Sequence, residues 1–334
     1  MTKLTELRDQ ICNLAESENS LAILSHSNPD GDGFCASLAL QKLLRHWGKA
    51  SVIVVDNLEL SSYAHLMSDA DLEIYSAESS YSDLIILDCN SLDRLGAREA
   101  LVTKASRIVL IDHHLIEHRL IPSNFSLIEP AFVSVGAIIF RALYDDISII
   151  PDAIRIDIVN SLYTTILNDT NNFTNANTNS EVFETSGMMC KLGINPSRLY
   201  KDYFLNQSPE EMRYTGEVLS TIELALNRKI LIMHSTLEML NRNGLKPDDV
   251  MNITRFVQGV RGLEAIVYLR EESDKLFKIS LRSPHLDVNK IATTFGGGGH
   301  RSASGAHARG TMEDIKQHLL SLFEEALREI EQNA

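Results

Sequence analysis

Apolar residues recur at Leu4, Leu7, Ile11 and Leu14, three or four positions apart, which puts them on one face of a helix over 3–18. The period then changes. LAILS (21–25) is a short continuous apolar run, and SVIVV (51–55), DLIILD (83–88) and RIVLID (107–112) repeat it. Runs of this length without polar alternation predict strands buried on both faces. Helical patterns run from Phe34 to Trp47 and over 134–145, 152–167, 180–193 and 209–226. Strands alternating with helices predict an α/β domain built on a mostly parallel sheet with helices on both faces.

Beyond 228 the character shifts. KILIMH (229–234), LEAIVYLRE (263–271) and LFKISLRS (276–283) read as strands, the last two close enough to form a hairpin across ESDK. A glycine cluster follows, then a capped helix over 311–332. The pattern predicts a first domain over 1–195, a helical linker over 196–228, and a smaller α/β domain over 229–334. No internal repeat or low-complexity segment interrupts it.

The chain has 334 residues, enough for two domains, and 44% are hydrophobic, enough to build their cores. Its formal net charge of -14 argues against a surface that grips long nucleic acid through many phosphates. A short anionic ligand held at one locally basic or metal-bearing spot is compatible with it. Cys12, Cys35, Cys89 and Cys190 are scattered, without paired or metal-type spacing, and read as reduced thiols of a cytoplasmic protein. The first twenty residues lack the continuous apolar core of a signal peptide, and no run is long enough to span a bilayer, so no membrane association is expected.

The chemistry sits where strands end. LAILS runs into His26-Ser27-Asn28-Pro29-Asp30-Gly31-Asp32-Gly33, DLIIL into Asp88, and RIVLI into Asp112-His113-His114. Taken singly, each has a plain structural reading: a turn with an N-cap for Asp30 and Asp32, a loop acid for Asp88, solvated histidines for His113 and His114. Three such ends in succession are another matter. In open α/β sheets the carboxyl ends of strands face the ligand crevice, so these side chains are expected to converge. Converging carboxylates repel unless a cation neutralises them. Carboxylate with imidazole and no thiolate suits Mn better than structural zinc. One carboxylate can bridge two ions, which then clamp a phosphate and activate water between them. A further acid, Asp169, follows an apolar helical stretch in TTILNDTNNF, where a helix end with Asn-rich turn chemistry is the simpler reading.

The last region has its own signal. FGGGGHRSASGAH (295–307) strings glycines, among them Gly297, Gly298 and Gly299, before His300 and Arg301, while Arg282-Ser283 ends a strand just upstream. Consecutive glycines let backbone N–H groups approach an anion. A flexible linker would carry Ser and other polar residues rather than a histidine–arginine pair, so a phosphate-binding loop is expected.

HSNPDGDG, Asp88, DHH and NDTNNF, then LRS and GGGGHRSASG, resemble the DHH phosphoesterase superfamily with its DHH-associated C-terminal domain, over nearly the whole chain. The likeness is nearest to the stand-alone short-oligonucleotide phosphodiesterases called nano-RNases, several of which also act on 3′-phosphoadenosine 5′-phosphate. The resemblance implies two divalent ions, most suitably Mn. One is held by His26, Asp30 and Asp88, the other by Asp32, Asp88, His113 and Asp169. It implies that His114 faces the reacting phosphate, that Asp112 orients the histidines, and that the active site lies in a cleft between the domains. Arg282, Ser283, Gly297, Gly298, Gly299, His300 and Arg301 then grip substrate. Very short RNA or nucleotide phosphates are the expected substrates, and a homodimer is compatible with this reading. Cyclic dinucleotides, single-stranded DNA, pyrophosphate and a non-catalytic nucleotide-binding role are the alternatives. The family usually has Gly two residues after its fourth acid, where this chain has Asn171. Asn tolerates the left-handed conformation, so the turn is expected to survive.

Overall fold

Alternate residues of each apolar run face opposite sides of one sheet. In the computed structural model, which describes residues 2–27, 29–58, 60–116, 118–250 and 253–333, the chain divides into two units, Met1–Asn206 and Gln207–Ala334. The first contains α1 (Lys3–Glu16), β1 (Leu21–Leu24), α2 (Gly31–His46), β2 (Val52–Val55), β3 (Leu72–Ile74), β4 (Asp83–Leu87), α3 (Glu99–Lys104), β5 (Arg107–Asp112) and β6 (Phe125–Ile128). Four helices complete it: α4 (Val135–Ser148), α5 (Asp152–Asp169), α6 (Ser180–Lys191) and α7 (Pro196–Phe204).

Its six strands are parallel, in the order β3-β2-β1-β4-β5-β6. Ile23, Ile53, Ile85, Val109 and Ile111 pack with α1, α2, α4 and α5 in one core. Ala22, Leu24, Val54, Leu84, Ile86 and Leu110 pack against Leu95, Leu101 and Val102 on the other face, so the strands read as unbroken apolar runs. The chain steps outward one way from β1 and the other way from β4. The strand order therefore reverses between β1 and β4, the place where such sheets open a crevice beyond their carboxyl ends. LAILS and DLIILD end there.

The apolar pattern does not reveal β3 and β6. They are the two edge strands, short and only partly buried, and pairing with a neighbour defines them more than composition does.

The second unit contains α8 (Pro209–Leu219), β7 (Glu223–Ala225), β8 (Ile230–Ser235), α9 (Leu237–Arg242), β9 (Ala265–Ser273), β10 (Leu276–Arg282), α10 (Val288–Thr294), β11 (Gly298–His300), β12 (Ala303–Arg309) and α11 (Met312–Asn333). Its sheet runs β11-β12-β10-β9-β8-β7 and is mixed, with β8 and β9 parallel and the other neighbours antiparallel. Leu269, Ile279 and Leu281 pack with Val288, Leu319 and Phe323 of α10 and α11, while Leu231, Met233 and Tyr268 pack with Tyr214, Val218 and Leu240 of α8 and α9.

The stretch 196–228 divides between the units: Leu199 of α7 belongs to the first unit's main core, whereas Tyr214 and Val218 of α8 belong to the second unit. Two expectations change. The helix expected over 209–226 ends at Leu219, because Leu224 pairs with Leu231 and a left-handed turn at Leu226, Asn227 and Arg228 (φ 48°, 57°, 65°) closes that hairpin. The glycine run, expected as a phosphate-binding loop, ends in an edge strand, since Gly298, Gly299 and His300 pair with Gly305, Ser304 and Ala303. Among the described residues all four cysteines are free, and no helix is long and apolar enough to cross a membrane.

Candidate metal centre

The site begins with the PDGDG turn. Asp30 is indeed an N-cap: its Oδ1 accepts from the backbone N–H groups of Asp32 (3.0 Å) and Gly33 (3.4 Å), starting α2. Asp32 does something else. Its carboxylate reaches the start of α4, accepting from Val135 N (2.7 Å) and Gly136 N (3.2 Å). Ser134 caps that helix, so Asp32 lies at the positive end of the α4 dipole. A Cβ on Gly33 would lie 2.9 Å from Ser25 Cβ and 3.2 Å from Asp88 Oδ2, so only glycine lets α2 start this close to the strand ends.

Asp88 follows β4 in a left-handed conformation (φ 57°) while its N–H donates to Ile111 O (3.0 Å). Such a conformation is uncommon for a non-glycine residue and is tolerated best by Asp and Asn. Three imidazoles surround its buried carboxylate. His26 Nε2 is 3.5 Å from Oδ2, and His113 Nε2 and His114 Nδ1 are 3.6 and 3.1 Å from Oδ1. His113 Nε2 also lies 3.4 Å from Asp32 Oδ2 and 3.1 Å from Asp169 Oδ2. His26 Nε2 is 3.9 Å from Asp30 Oδ1.

The structure thus brings His26, Asp30, Asp32, Asp88, His113 and Asp169 together, with His114 beside them. Three overlapping groups have ligand-type atoms within 4.8 Å of one another: His26–Asp30–Asp88, Asp32–His113–Asp169 and Asp88–His113–His114. Asp88 belongs to two of them, as a bridging carboxylate would.

The histidines differ in what holds them. His26 Nδ1 is 2.9 Å from Ser27 O and His113 Nδ1 is 3.3 Å from Phe132 O, so a proton on each Nδ1 leaves Nε2 aimed at the carboxylates. His114 is reversed: its Nδ1 lies 2.8 Å from Asp112 Oδ1. That oxygen also accepts from the backbone N–H of His113 (2.7 Å) and His114 (3.1 Å). Asp112 therefore orients the His114 ring and the loop, whereas the backbone carbonyl of Phe132 orients the His113 ring.

The electrostatics show how far the carboxylates are out of balance. Burial holds the Asp32 carboxyl well above its usual value, and Asp169 and Asp88 add to this. Burial, with Asp30 and Asp88, raises Asp169 to about 6 despite His113. Burial opposes ionisation of Asp88 too, but the three imidazoles hold it well below the usual range. The histidines respond in the opposite sense. Burial lowers each, yet the neighbouring carboxylates win, raising His26 to about 10, His113 to about 12 and His114 to about 9.

These residues fit divalent ions. Among the described residues, His26 Nε2, His113 Nε2 and both oxygens of Asp88 are buried without a hydrogen-bond partner of good geometry, although they form close ion pairs with one another. Buried polar atoms of this kind ordinarily have one, and here the imidazole and carboxylate atoms converge on one another. Hard carboxylates with imidazole match Mn or a related ion.

Asn171 has φ 46°, so the turn after Asp169 is left-handed and continues through Asn172 (57°) and Phe173 (63°). The Asn-rich stretch fixes it. Asn175 Nδ2 and Asn177 Nδ2 donate to Asp169 O at 3.0 and 3.1 Å. Sequence reading missed Phe132, whose carbonyl faces His113, and Asn168 and Tyr203, which are hydrogen-bonded in series behind Asp169. Only Asn168, beside Asp169, had a local signal.

In the second unit, Arg282 ends β10 with its Nη1 donating to Leu281 O (2.8 Å), and burial alone lowers its pKa. Ser283 is committed to the fold: its Oγ donates to Glu264 O (2.6 Å) and accepts from His285 N (3.1 Å) and Leu286 N (2.7 Å). A Cβ on Gly297 would collide with Gly305 O and Ala306, and one on Gly299 would lie 2.7 Å from Ala303 O, so sheet packing itself requires these two glycines. Gly298 sits between them, open on its outer side except for Asn289. Arg301 is exposed and lines a cavity of about 480 Å³ with Lys290, Leu322 and Glu325, a cavity that Arg282 does not line. The His300 side chain lies outside what the structure describes.

Residues 20–166 match the DHH family, N-terminal domain, and residues 230–330 match the DHHA1 domain. The bifunctional oligoribonuclease and PAP phosphatase NrnA of Thermus thermophilus is 26% identical over 322 residues, covering 93% of this chain and 91% of that protein. An exopolyphosphatase-related protein from Bacteroides fragilis has a similar structure, with a TM-score of 0.83 at 24% identity over 97% of this chain and 96% of that one. RecJ of Thermus thermophilus in complex with Mn2+ shares the fold more distantly, with a TM-score of 0.53 at 12% identity over 96% of this chain and 55% of that one. With a DHH domain, a DHHA1 domain and the strand-end acids and histidines that the first of these supplies, the chain is a DHH-family phosphoesterase.

Proposed function

We propose that this phosphoesterase hydrolyses very short RNA oligonucleotides to 5′-mononucleotides with two divalent ions, most suitably Mn, and also removes the 3′-phosphate of 3′-phosphoadenosine 5′-phosphate. The observation that carries the metal-dependent reading is the convergence of buried ligand-type atoms of His26, His113 and Asp88 with Asp30, Asp32 and Asp169, in groups within 4.8 Å of one another. The substrate class is supported by the relative named as a bifunctional oligoribonuclease and PAP phosphatase.

His26, Asp30 and Asp88 would hold one ion, and Asp32, Asp88, His113 and Asp169 the other. When bound, such ions acidify water and neutralise phosphate charge. The chain's own groups do the rest. Val135 N and Gly136 N favour the ionised form of Asp32 and fix its direction. Asp112 holds the His114 ring by Nδ1, so that imidazole is a fixed hydrogen-bonding group beside the cluster, suited to a phosphate or leaving oxygen. We assign Arg282 to a substrate phosphate, because its fork of donors matches one and it stands at the end of β10 beside the glycine motif. The glycine strand and His300 keep the assignment on their motif. Ser283 serves by shaping the turn after Arg282.

A net charge of -14 offers no track for a long polyanion, so affinity must come from local contacts. Hydrolysis is expected to be fastest on RNA of about two to five nucleotides. Steady-state kinetics on a ladder of 5′-labelled RNA tests it. Equal kcat/KM on dinucleotides and on long oligomers would overturn the short-substrate reading.

A further inference from the structure

The first glycine of PDGDG does not have a positive φ, so turn geometry does not explain it. Space does. A Cβ on Gly31 would lie 2.5 Å from the Tyr203 hydroxyl and 2.8 Å from Asn168 Cγ and Oδ1. The notch left by Gly31, between Asp30 and Asp32, is filled by a hydrogen-bonded pair from two other elements. Tyr203 comes from α7 and Asn168 from the end of α5.

The pair has a direction. The Tyr203 hydroxyl donates to Asn168 Oδ1 (2.7 Å), and Asn168 Nδ2 donates to Asp169 Oδ1 (2.8 Å). Asp169 is thereby held by one oxygen while the other, Oδ2, lies 3.1 Å from His113 Nε2. The polarity depends on the tyrosine. A carboxamide turned about its last bond would present its oxygen to Asp169, carboxylate against carbonyl. A hydroxyl donor facing Oδ1 makes the turned state cost a hydrogen bond at both ends. Tyr203 is itself fixed: it is buried, and its ring stacks on Tyr63 at 6.3 Å and 25°.

We propose that Tyr203 is a positioning residue for the metal centre. It acts through Asn168 to orient Asp169, so that Oδ2 is presented to an ion shared with Asp32 and His113. The inference rests on the reading of Asp169 as a ligand. It also gives α7 a part in the site from 34 positions further along the chain, a separation (203 − 169) that no local motif could signal.

The test is Mn2+ binding to metal-free protein, by calorimetry and by the electron paramagnetic resonance of free Mn2+, for wild type, Tyr203→Phe, Asn168→Asp and Asp169→Asn. Phe keeps the ring in the Tyr63 stack and removes only the hydroxyl. Asp at 168 keeps the shape and replaces the amide donor with an acceptor. Partners of this kind contribute about 10- to 100-fold to metal affinity. Tyr203→Phe and Asn168→Asp should weaken one of the two ions by about that factor and leave the other unchanged. Asp169→Asn should weaken the same ion at least as much. Thermal unfolding of the metal-free variants separates packing from positioning. Wild-type affinity in Tyr203→Phe, with or without a lower Tm, would overturn the proposal if Asp169→Asn still loses the ion. Wild-type affinity in Asp169→Asn would instead overturn the ligand assignment on which it rests.

Discussion

Binding of the two proposed ions should expel protons, and the histidine geometry predicts which. In the ion-free site His26 is raised to about 10 and His113 to about 12 by the carboxylates around them, so near neutral pH both imidazoles are doubly protonated. Their Nδ1 protons are directed at the carbonyls of Ser27 and Phe132, so the proton that must leave is the one on Nε2, the atom facing the carboxylates. The sign is direct. A raised pKa favours the protonated, ion-free form, so apparent metal affinity is lowest at low pH and climbs as pH rises toward those values. At about pH 7.5, removing the proton from His26 costs roughly 3 kcal/mol, and more from His113. About two protons should therefore be released per protein filled, and affinity should rise by up to about a hundredfold per pH unit. His114, at about 9, should keep its proton, because its Nδ1 is held by Asp112. The assay is calorimetric Mn2+ titration in buffers of different ionisation enthalpy between about pH 6.5 and 8.5. No buffer dependence, or a flat affinity across that range, would refute the assignment of His26 and His113 as ligands.

Two further outcomes follow from the second unit. Arg282→Ala should lower kcat/KM by about one to two orders of magnitude, as expected for the loss of a charge-assisted contact of about 1.5–3 kcal/mol, and should leave bound metal unchanged; wild-type kinetics on every phosphate substrate would remove it from the binding site. Gly297→Ala should lower thermal stability by about 1–3 kcal/mol, since its methyl group would meet Gly305 O and Ala306, and a wild-type Tm would contradict the packing role of this glycine.

Much of the site was legible because its residues stand at the ends of buried strands, where packing gives no reason for acid or imidazole. His26, Asp88 and the Asp112–His114 run were visible for that reason, and parallel topology did the converging. The PDGDG turn was legible only in part. Asp30 is the N-cap that local chemistry suggests, but the reach of Asp32 to the start of α4 is a contact across 103 positions. The same limit hid Tyr203 and the Phe132 carbonyl, which matter by where the chain returns rather than by what stands beside them. The glycine run was legible as a motif but not as a strand. Glycines suit an anion-binding loop and a tightly packed edge strand equally well, and only the pairing of Gly298 with Gly305 decides that a strand is formed. The edge strands β3 and β6, and β7 beyond α8, have too few buried residues to produce a pattern.

We infer that one cluster of strand-end acids and histidines is a two-ion centre for cleaving short RNA. It is tested most directly by release of mononucleotide from a 5′-labelled RNA dinucleotide by metal-stripped protein titrated with Mn2+, with Asp88→Ala alongside. Activity should be absent without the ion, reach its plateau only near two equivalents, and stay absent in Asp88→Ala although that variant folds. Hydrolysis that persists in a chelator, or Asp88→Ala turning over the dinucleotide at the wild-type rate, would contradict it.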